Sequence, residues 1–170
     1  WQLGCLWARY IWSKISYIKY TFKNNLRVID YDLKGHTFNF YNSLTRFHES
    51  DCLEQGEVLP IETSRGCLFK CSFCAYPLLG RKKSDPNYHK NVEALSQELK
   101  NNYTQWGITR YMFVDDTFNE TTEKLQEIKH AINLAGIKIN FSCYLRLDLL
   151  ARYPEQIALL KDMGLQSCFL

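Results

Sequence analysis

From Val58 to Leu170 the apolar positions keep two alternating rhythms. Short apolar runs at Val58–Thr63, Arg110–Val114, Ile137–Tyr144 and Leu165–Leu170 have the length and density of buried strands. Between them the spacing changes to that of helices. Val92, Leu95, Leu99, Tyr103 and Trp106 form one stripe ending at Gly107. Leu125, Ile128, Ile132 and Ala135 form a second ending at Gly136, with Glu120 and Lys124 in the favourable i,i+4 order. Ile157, Leu160 and Met163 form a third, opened by Pro154 and closed by Gly164. Proline at a helix start and glycine just past its end are the expected punctuation. Strand and helix in strict succession predict an α/β fold with a parallel sheet and right-handed crossovers. Four strands are too few to close a (βα)8 barrel, so the sheet is expected to be a partial, TIM-like one, open at its last edge.

Residues 1–56 read differently, as a small α+β accessory segment ahead of a core at 57–170. Trp7, Ile11, Ile15, Ile18 and Phe22 lie at near-helical spacing within residues 1–23. Arg9, Lys14, Lys19 and Lys23 interrupt the apolar runs, well short of the roughly 20 residues of a spanning helix. The pattern suits a helix packed on another domain, with a membrane-surface helix as the sharper alternative. Leu26–Asp32 and Thr37–Tyr41, separated by Lys34 and Gly35, are expected to form a hairpin, and Ser43–Glu57 a polar linker. The chain starts at Trp1 and stops at Leu170 inside an apolar run, so both ends read as truncations, and a piece of this length is expected not to turn over a substrate by itself.

Composition adds bounds. At 46% hydrophobic residues the 170-residue chain can bury a sizeable core. A net charge of +3 calls for no polyanionic partner, so nucleic acid is not indicated. Arg81, Lys82 and Lys83 form a short basic run, more often solvated surface than a docking site. Seven cysteines are many for this length. Cys5, Cys52, Cys143 and Cys168 stand singly in apolar surroundings, the usual setting of small buried thiols.

Cys67, Cys71 and Cys74 do not stand singly. They form a C-x3-C-x2-C set directly after the first strand, with Gly66 supplying the turn before it. Thiolates this close suit a soft metal centre. Zinc sites close a tetrahedron with four ligands, and the nearest candidates for a fourth, His89 and Cys143, are distant in sequence. None of His36, His48, His89 and His130 has ligand spacing to another. A [4Fe–4S] cubane normally takes four thiolates, so three would leave one iron open. A non-catalytic zinc module is therefore the competing reading.

With Phe73 between the last two thiols, the motif resembles the signature of the radical S-adenosylmethionine (SAM) enzymes. The resemblance covers about residues 57–170 and implies a cytoplasmic enzyme whose [4Fe–4S] cluster is held by Cys67, Cys71 and Cys74. In that family the open iron is chelated by SAM, whose reductive cleavage yields a 5′-deoxyadenosyl radical that abstracts hydrogen from a substrate. An electron donor such as flavodoxin or ferredoxin is implied with it. The substrate is not legible.

The same resemblance places SAM contacts at the C-terminal ends of the strands. Phe73 corresponds to the aromatic beside the adenine. Asp115-Asp116-Thr117-Phe118-Asn119 stands where the family often has a Gly-Gly-Glu-Pro-like segment, and one of Asp115 and Asp116 is expected to meet the SAM amino group or the substrate; capping of the next helix is the alternative. Alternation along the third strand puts Tyr144 and Arg146 on one face, from which Arg146 is expected to grip the SAM carboxylate, unless it pairs with Asp148 or with an acid of the second strand. The Arg-Gly-Cys lead-in and the Asp-Asp-Thr-Phe-Asn segment look most like members that carry a cobalamin-binding domain ahead of the core, so cobalamin in the full-length protein and methyl transfer are implied. Methylthiotransferases are a weaker likeness, through Pro77 and Gly80-Arg81.

Overall fold

The computed structural model describes residues 40–45, 47, 53, 56–74, 80 and 88–170. The chain divides into two compact units, and the one formed by Phe40–Arg46 and Leu53–Leu170 holds the sheet. The helix expected over 1–23, the strand over 26–32, Pro77 and the basic run at 81–83 lie outside the described residues.

Strand β1 (Val58–Ile61) leads through a long loop to helix α1 (Val92–Trp106). Strand β2 (Arg110–Phe113), helix α2 (Thr122–Ala135) and strand β3 (Asn140–Tyr144) follow. A short helix α3 (Leu147–Arg152), helix α4 (Glu155–Met163) and strand β4 (Leu165–Phe169) complete the order. The strands pair in sequence order β1-β2-β3-β4, each parallel to the last. The fold is α/β, an open parallel sheet with the topology of a partial (βα) barrel.

Local chemistry sets the boundaries. Asn91 caps α1 by accepting from the Ala94 amide at 2.5 Å, and Thr121 caps α2 through the Lys124 amide at 3.2 Å. Gly107, Gly136 and Gly164 close α1, α2 and α4 in the left-handed region. Gly164 has no substitute: a Cβ there would come within 2.1 Å of the Ile139 carbonyl oxygen.

Register lines up the apolar side chains. Leu59 pairs with Tyr111 and Tyr111 with Phe141, while Ile61 pairs with Phe113 and Phe113 with Cys143; all six are buried. Phe113, Phe118 and Phe141 stack around one another with ring centres 4.7 to 5.5 Å apart. Each such buried side chain contributes roughly 2 kcal/mol of transfer free energy. On the other face Pro60, Met112 and Ser142 are only half-buried.

Several sequence expectations shift. The α1 stripe is rotated: Leu95 and Leu99 are buried with Ala94, Glu98 and Asn102, while Tyr103 is 48% exposed. The buried ion pair of Glu98 with Lys90, at 2.5 Å, draws the helix face round. In α4 Leu160 and Met163 are buried as their spacing implied, but Gln156 rather than Ile157 joins them, and Ile157 is exposed. Strand β3 begins at Asn140 rather than Ile137, where its amide bonds to the Thr109 carbonyl at 2.8 Å. Helix α3 had no periodic signature. Phe40 and Tyr41, expected to end a strand, lie instead in a 3-10 turn (Phe40–Asn42), because the Ser43 amide and hydroxyl both bond to the Phe40 carbonyl and the Phe40 ring is buried beneath the Arg65 guanidinium. Among the described residues no helix is long and apolar enough to cross a membrane.

Candidate iron–sulfur site

Parallel pairing brings the C-terminal ends of β1, β2 and β3 to one edge of the sheet. The cysteine loop leaves β1 there, and its neck is closed by backbone pairing. Arg65 N–H donates to the Tyr88 carbonyl at 3.0 Å and Lys90 N–H to the Thr63 carbonyl at 2.9 Å, around an antiparallel bridge of Ser64 with His89.

A buried ionic network anchors this neck to β2 and α2. The Asp115 carboxylate accepts from the Thr63 amide at 2.7 Å, the Ser64 amide at 3.2 Å and the Thr63 hydroxyl. Lys124 Nζ reaches Asp115 Oδ2 at 2.9 Å, Glu120 Oε1 at 2.9 Å and Ser64 Oγ at 2.8 Å. Tyr88 donates its hydroxyl to the other Glu120 oxygen. Burial by itself pushes the Asp115 carboxyl up, but the Lys124 charge and the Thr63 hydrogen bonds outweigh it and hold the group below its ordinary range. Desolvation likewise opposes the charge on Lys124, and Asp115 and Glu120 more than offset it, so the ammonium is held above its ordinary value. Burial, with the adjacent Glu120 carboxylate, pushes the Tyr88 phenol far up, so it stays a neutral donor.

Within the loop, Gly66 turns the chain at φ +93° just before Cys67. Cys74 N–H bonds to the Cys71 carbonyl at 3.0 Å, a tight turn that brings the last two cysteines together. Cys67 is buried and Cys71 and Cys74 half-buried; all three are free thiols. Phe73, between them, is 90% exposed.

Tests of the donor set against a metal centre favour a cluster over a single ion. Among the described residues no three His, Cys, Asp or Glu side chains gather closely enough to grip one ion. Of the two fourth donors a zinc tetrahedron was expected to draw on, Cys143 is buried within β3, where desolvation pushes its thiol far up and opposes the thiolate, and His89 stands edge-on to Tyr88 in the neck. Three reduced thiols on one loop are the donor set of an iron–sulfur cubane with one iron left open.

The other expected site residues separate. Asp115 is spent on the neck. Asp116, its neighbour, is half-buried. Burial, and then the charges of Asp115 and Glu62, push its carboxyl up. Arg146 stands at the loop but not on a strand face, because β3 ends at Tyr144 and Arg146 caps α3. Asn119 holds it there, accepting from the Arg146 amide at 2.8 Å and donating to its carbonyl at 3.1 Å. The guanidinium fork that a carboxylate ligand would need is closed on Asp148, at 2.9 and 2.8 Å. That bond holds the guanidinium above its ordinary value. The ring of Phe69, inside the cysteine loop, lies 4.0 Å beneath Arg146.

Comparison with known proteins decides the family. The model of the radical SAM superfamily matches residues 61–169. The chain belongs to the radical SAM superfamily. Its matched region starts at the last residue of β1, takes in all three cysteines and ends with β4, so the whole sheet edge described above lies within it. The chain is also similar to an uncharacterized methyltransferase of Pyrococcus horikoshii, 31% identical over 123 residues, which cover 72% of this chain and 25% of that protein. It thus spans about a quarter of the curated relative it matches. No solved structure matches significantly.

Thr63, Tyr88, Thr117, Asn119 and Lys124 were not among the residues expected at this site. The one signal among them was the i,i+4 spacing of Glu120 and Lys124, which holds in the structure at 2.9 Å.

Proposed function

We propose that this chain is the cluster-binding part of a radical SAM methyltransferase. Cys67, Cys71 and Cys74 hold the [4Fe–4S] cluster, which when bound supplies the electron that cleaves SAM to a 5′-deoxyadenosyl radical able to abstract hydrogen from a substrate. The observation that carries this reading is the three-thiol loop rooted on the sheet edge inside the family match. Methyl transfer draws its support from the methyltransferase relative, and cobalamin in the full-length protein from the Arg-Gly-Cys and Asp-Asp-Thr-Phe-Asn segments.

Of the two acids after β2, Asp116 takes the SAM amino group, since Asp115 has its oxygens committed to Thr63, Ser64 and Lys124. An ammonium beside Asp116 offsets the repulsion from Asp115 and Glu62 that now raises its carboxyl. Phe73 offers an exposed apolar face and backbone for the adenine. Arg146 brings its charge to the cluster edge, with Asp148 holding its fork. A flavodoxin or ferredoxin delivers the electron.

Anaerobic reconstitution with iron and sulfide tests the reading, followed by dithionite and SAM. A brown protein with broad visible absorption, forming 5′-deoxyadenosine, is expected; S-adenosylhomocysteine formed by the protein carrying this chain would mark methyl transfer. Stoichiometric zinc without iron uptake would sink the proposal.

A further inference from the structure

Two side chains from different loops aim hydrogens at the sulfurs of the cysteine loop. Thr117 Oγ1 lies 3.4 Å from Cys67 Sγ, and both residues are buried. The same sulfur accepts from the Phe69 amide at 3.4 Å. Arg146 Nη1 points at Cys71 Sγ from 3.7 Å. A ligating thiolate is an acceptor only, so at Cys67 the hydroxyl must be the donor.

Both donors are held from behind. The Thr117 carbonyl accepts from Lys124 Nζ at 3.3 Å, which ties it to the buried Asp115 network. Arg146 is fixed at three points: its main chain by Asn119, its fork by Asp148 and its flat face by Phe69. Only Nη1 is left facing the loop, and the reach of both donors is set before any cluster arrives.

We propose that Thr117 and Arg146 are positioning residues that donate to the ligating sulfurs of Cys67 and Cys71 and thereby raise the reduction potential of the bound cluster. This rests on the radical SAM reading above and deepens it. Reduction adds negative charge to the cluster and its sulfurs. Donors aimed at those sulfurs stabilise the more negative state, and a guanidinium adds its own charge. At Thr117 no bulk water competes with the hydroxyl, because the residue is 4% exposed.

The test is a redox titration of the reconstituted protein, followed by the electron paramagnetic resonance signal of the reduced cluster. It compares wild type with Thr117→Val, Thr117→Ser, Arg146→Met and Arg146→Lys. Thr117→Val and Arg146→Met are expected to hold wild-type iron and sulfide but to titrate at more negative potentials. Thr117→Ser should return to the wild-type potential, and Arg146→Lys should fall between. Resonance Raman gives a second measurement: the iron–cysteine stretches of wild type should shift in deuterated water, and less so in Thr117→Val. Fully loaded variants at the wild-type potential would overturn the proposal, and so would a wild type with no deuterium shift, even if Thr117→Val failed to load. Failure of wild type itself to take up iron and sulfide is a different result, which overturns the radical SAM reading and this inference with it.

Discussion

Lys124 Nζ lies 2.9 Å from Asp115 Oδ2, and both side chains are almost wholly buried. The pair joins α2 to the end of β2, and through Thr63 and Ser64 to the neck of the cysteine loop. Removing Lys124 strands Asp115 and Glu120 without solvent, and removing Asp115 leaves the buried ammonium with Glu120 as its one remaining carboxylate of the pair. Asp115→Asn and Lys124→Met should each cost roughly 3–5 kcal/mol. The double variant should cost less than the sum, since the Asp115–Lys124 interaction is then lost once rather than twice. Urea unfolding followed by circular dichroism checks both statements.

The same pair fixes a pH window. The Asp115 carboxyl is depressed in the folded state, so its stabilisation is complete above the ordinary carboxylate value of about 3.9 and is lost as pH falls through the folded value. The Lys124 ammonium is raised, so its share is complete below about 10.4 and lost as pH rises through the folded value. Stability should show a plateau between these limits, with an acid arm that flattens in Asp115→Asn. An unchanged acid arm in that variant would show that other carboxylates set it.

Asp116 has the opposite sign. Its carboxyl is raised by burial and by neighbouring acids, so its charge destabilises the folded chain at neutral pH. Asp116→Asn should melt higher than wild type while binding SAM roughly tenfold to a hundredfold more weakly, the loss expected for one charged hydrogen bond. Melting curves and equilibrium dialysis with labelled SAM on the reconstituted protein measure the two halves separately.

Loss of any one of Cys67, Cys71 and Cys74 by change to Ala should abolish the site-bound cluster, read as iron and sulfide per chain. Cys143→Ala and Cys168→Ala should leave iron nearly intact, as should changes at Cys5 and Cys52. Cys143 is buried in β3 and Cys168 pairs beside it on β4. Iron loss at either would reveal a fourth protein ligand and no open iron.

Two glycines with similar roles should respond differently. Gly136, at φ +70°, has nothing within 4 Å of an added Cβ, so Gly136→Ala should cost only the backbone strain of about 1–2 kcal/mol. Gly164, at φ +104°, lies further from the left-handed well and adds a collision with the Ile139 carbonyl. Gly164→Ala should cost clearly more, and denaturant midpoints of the two variants will rank them.

Much of the fold was legible because strand and helix periods differ and glycines end the helices. Leu125, Ile128, Ile132 and Ala135 are all buried, as their spacing implied. The rotation of α1 was not legible, because what turns it is a Lys90–Glu98 ion pair closed only in three dimensions. At the site, the cysteines were found by spacing because their loop is local. The roles of Asp115 and Asp116 were not separable, since adjacent acids look alike until one is claimed by a lysine whose sequence position suggested only a pairing with Glu120. Arg146 was placed near the loop for the wrong reason: strand alternation does not reach it, and Asn119 does.

The strand order has a consequence for how the molecule is made. Each strand pairs with the one synthesised just before it, and the span bridged shortens from Val58–Arg110 to Phe141–Leu165. Loop-closure entropy is therefore largest for the first pairing and smaller for those that follow. A chain emerging from the ribosome can lay its sheet down in the order of translation, with β1 and β2 joined and Lys124 in place before β3 has been built. The cysteine loop is thus moored early, ready for iron while the rest of the protein is still being written.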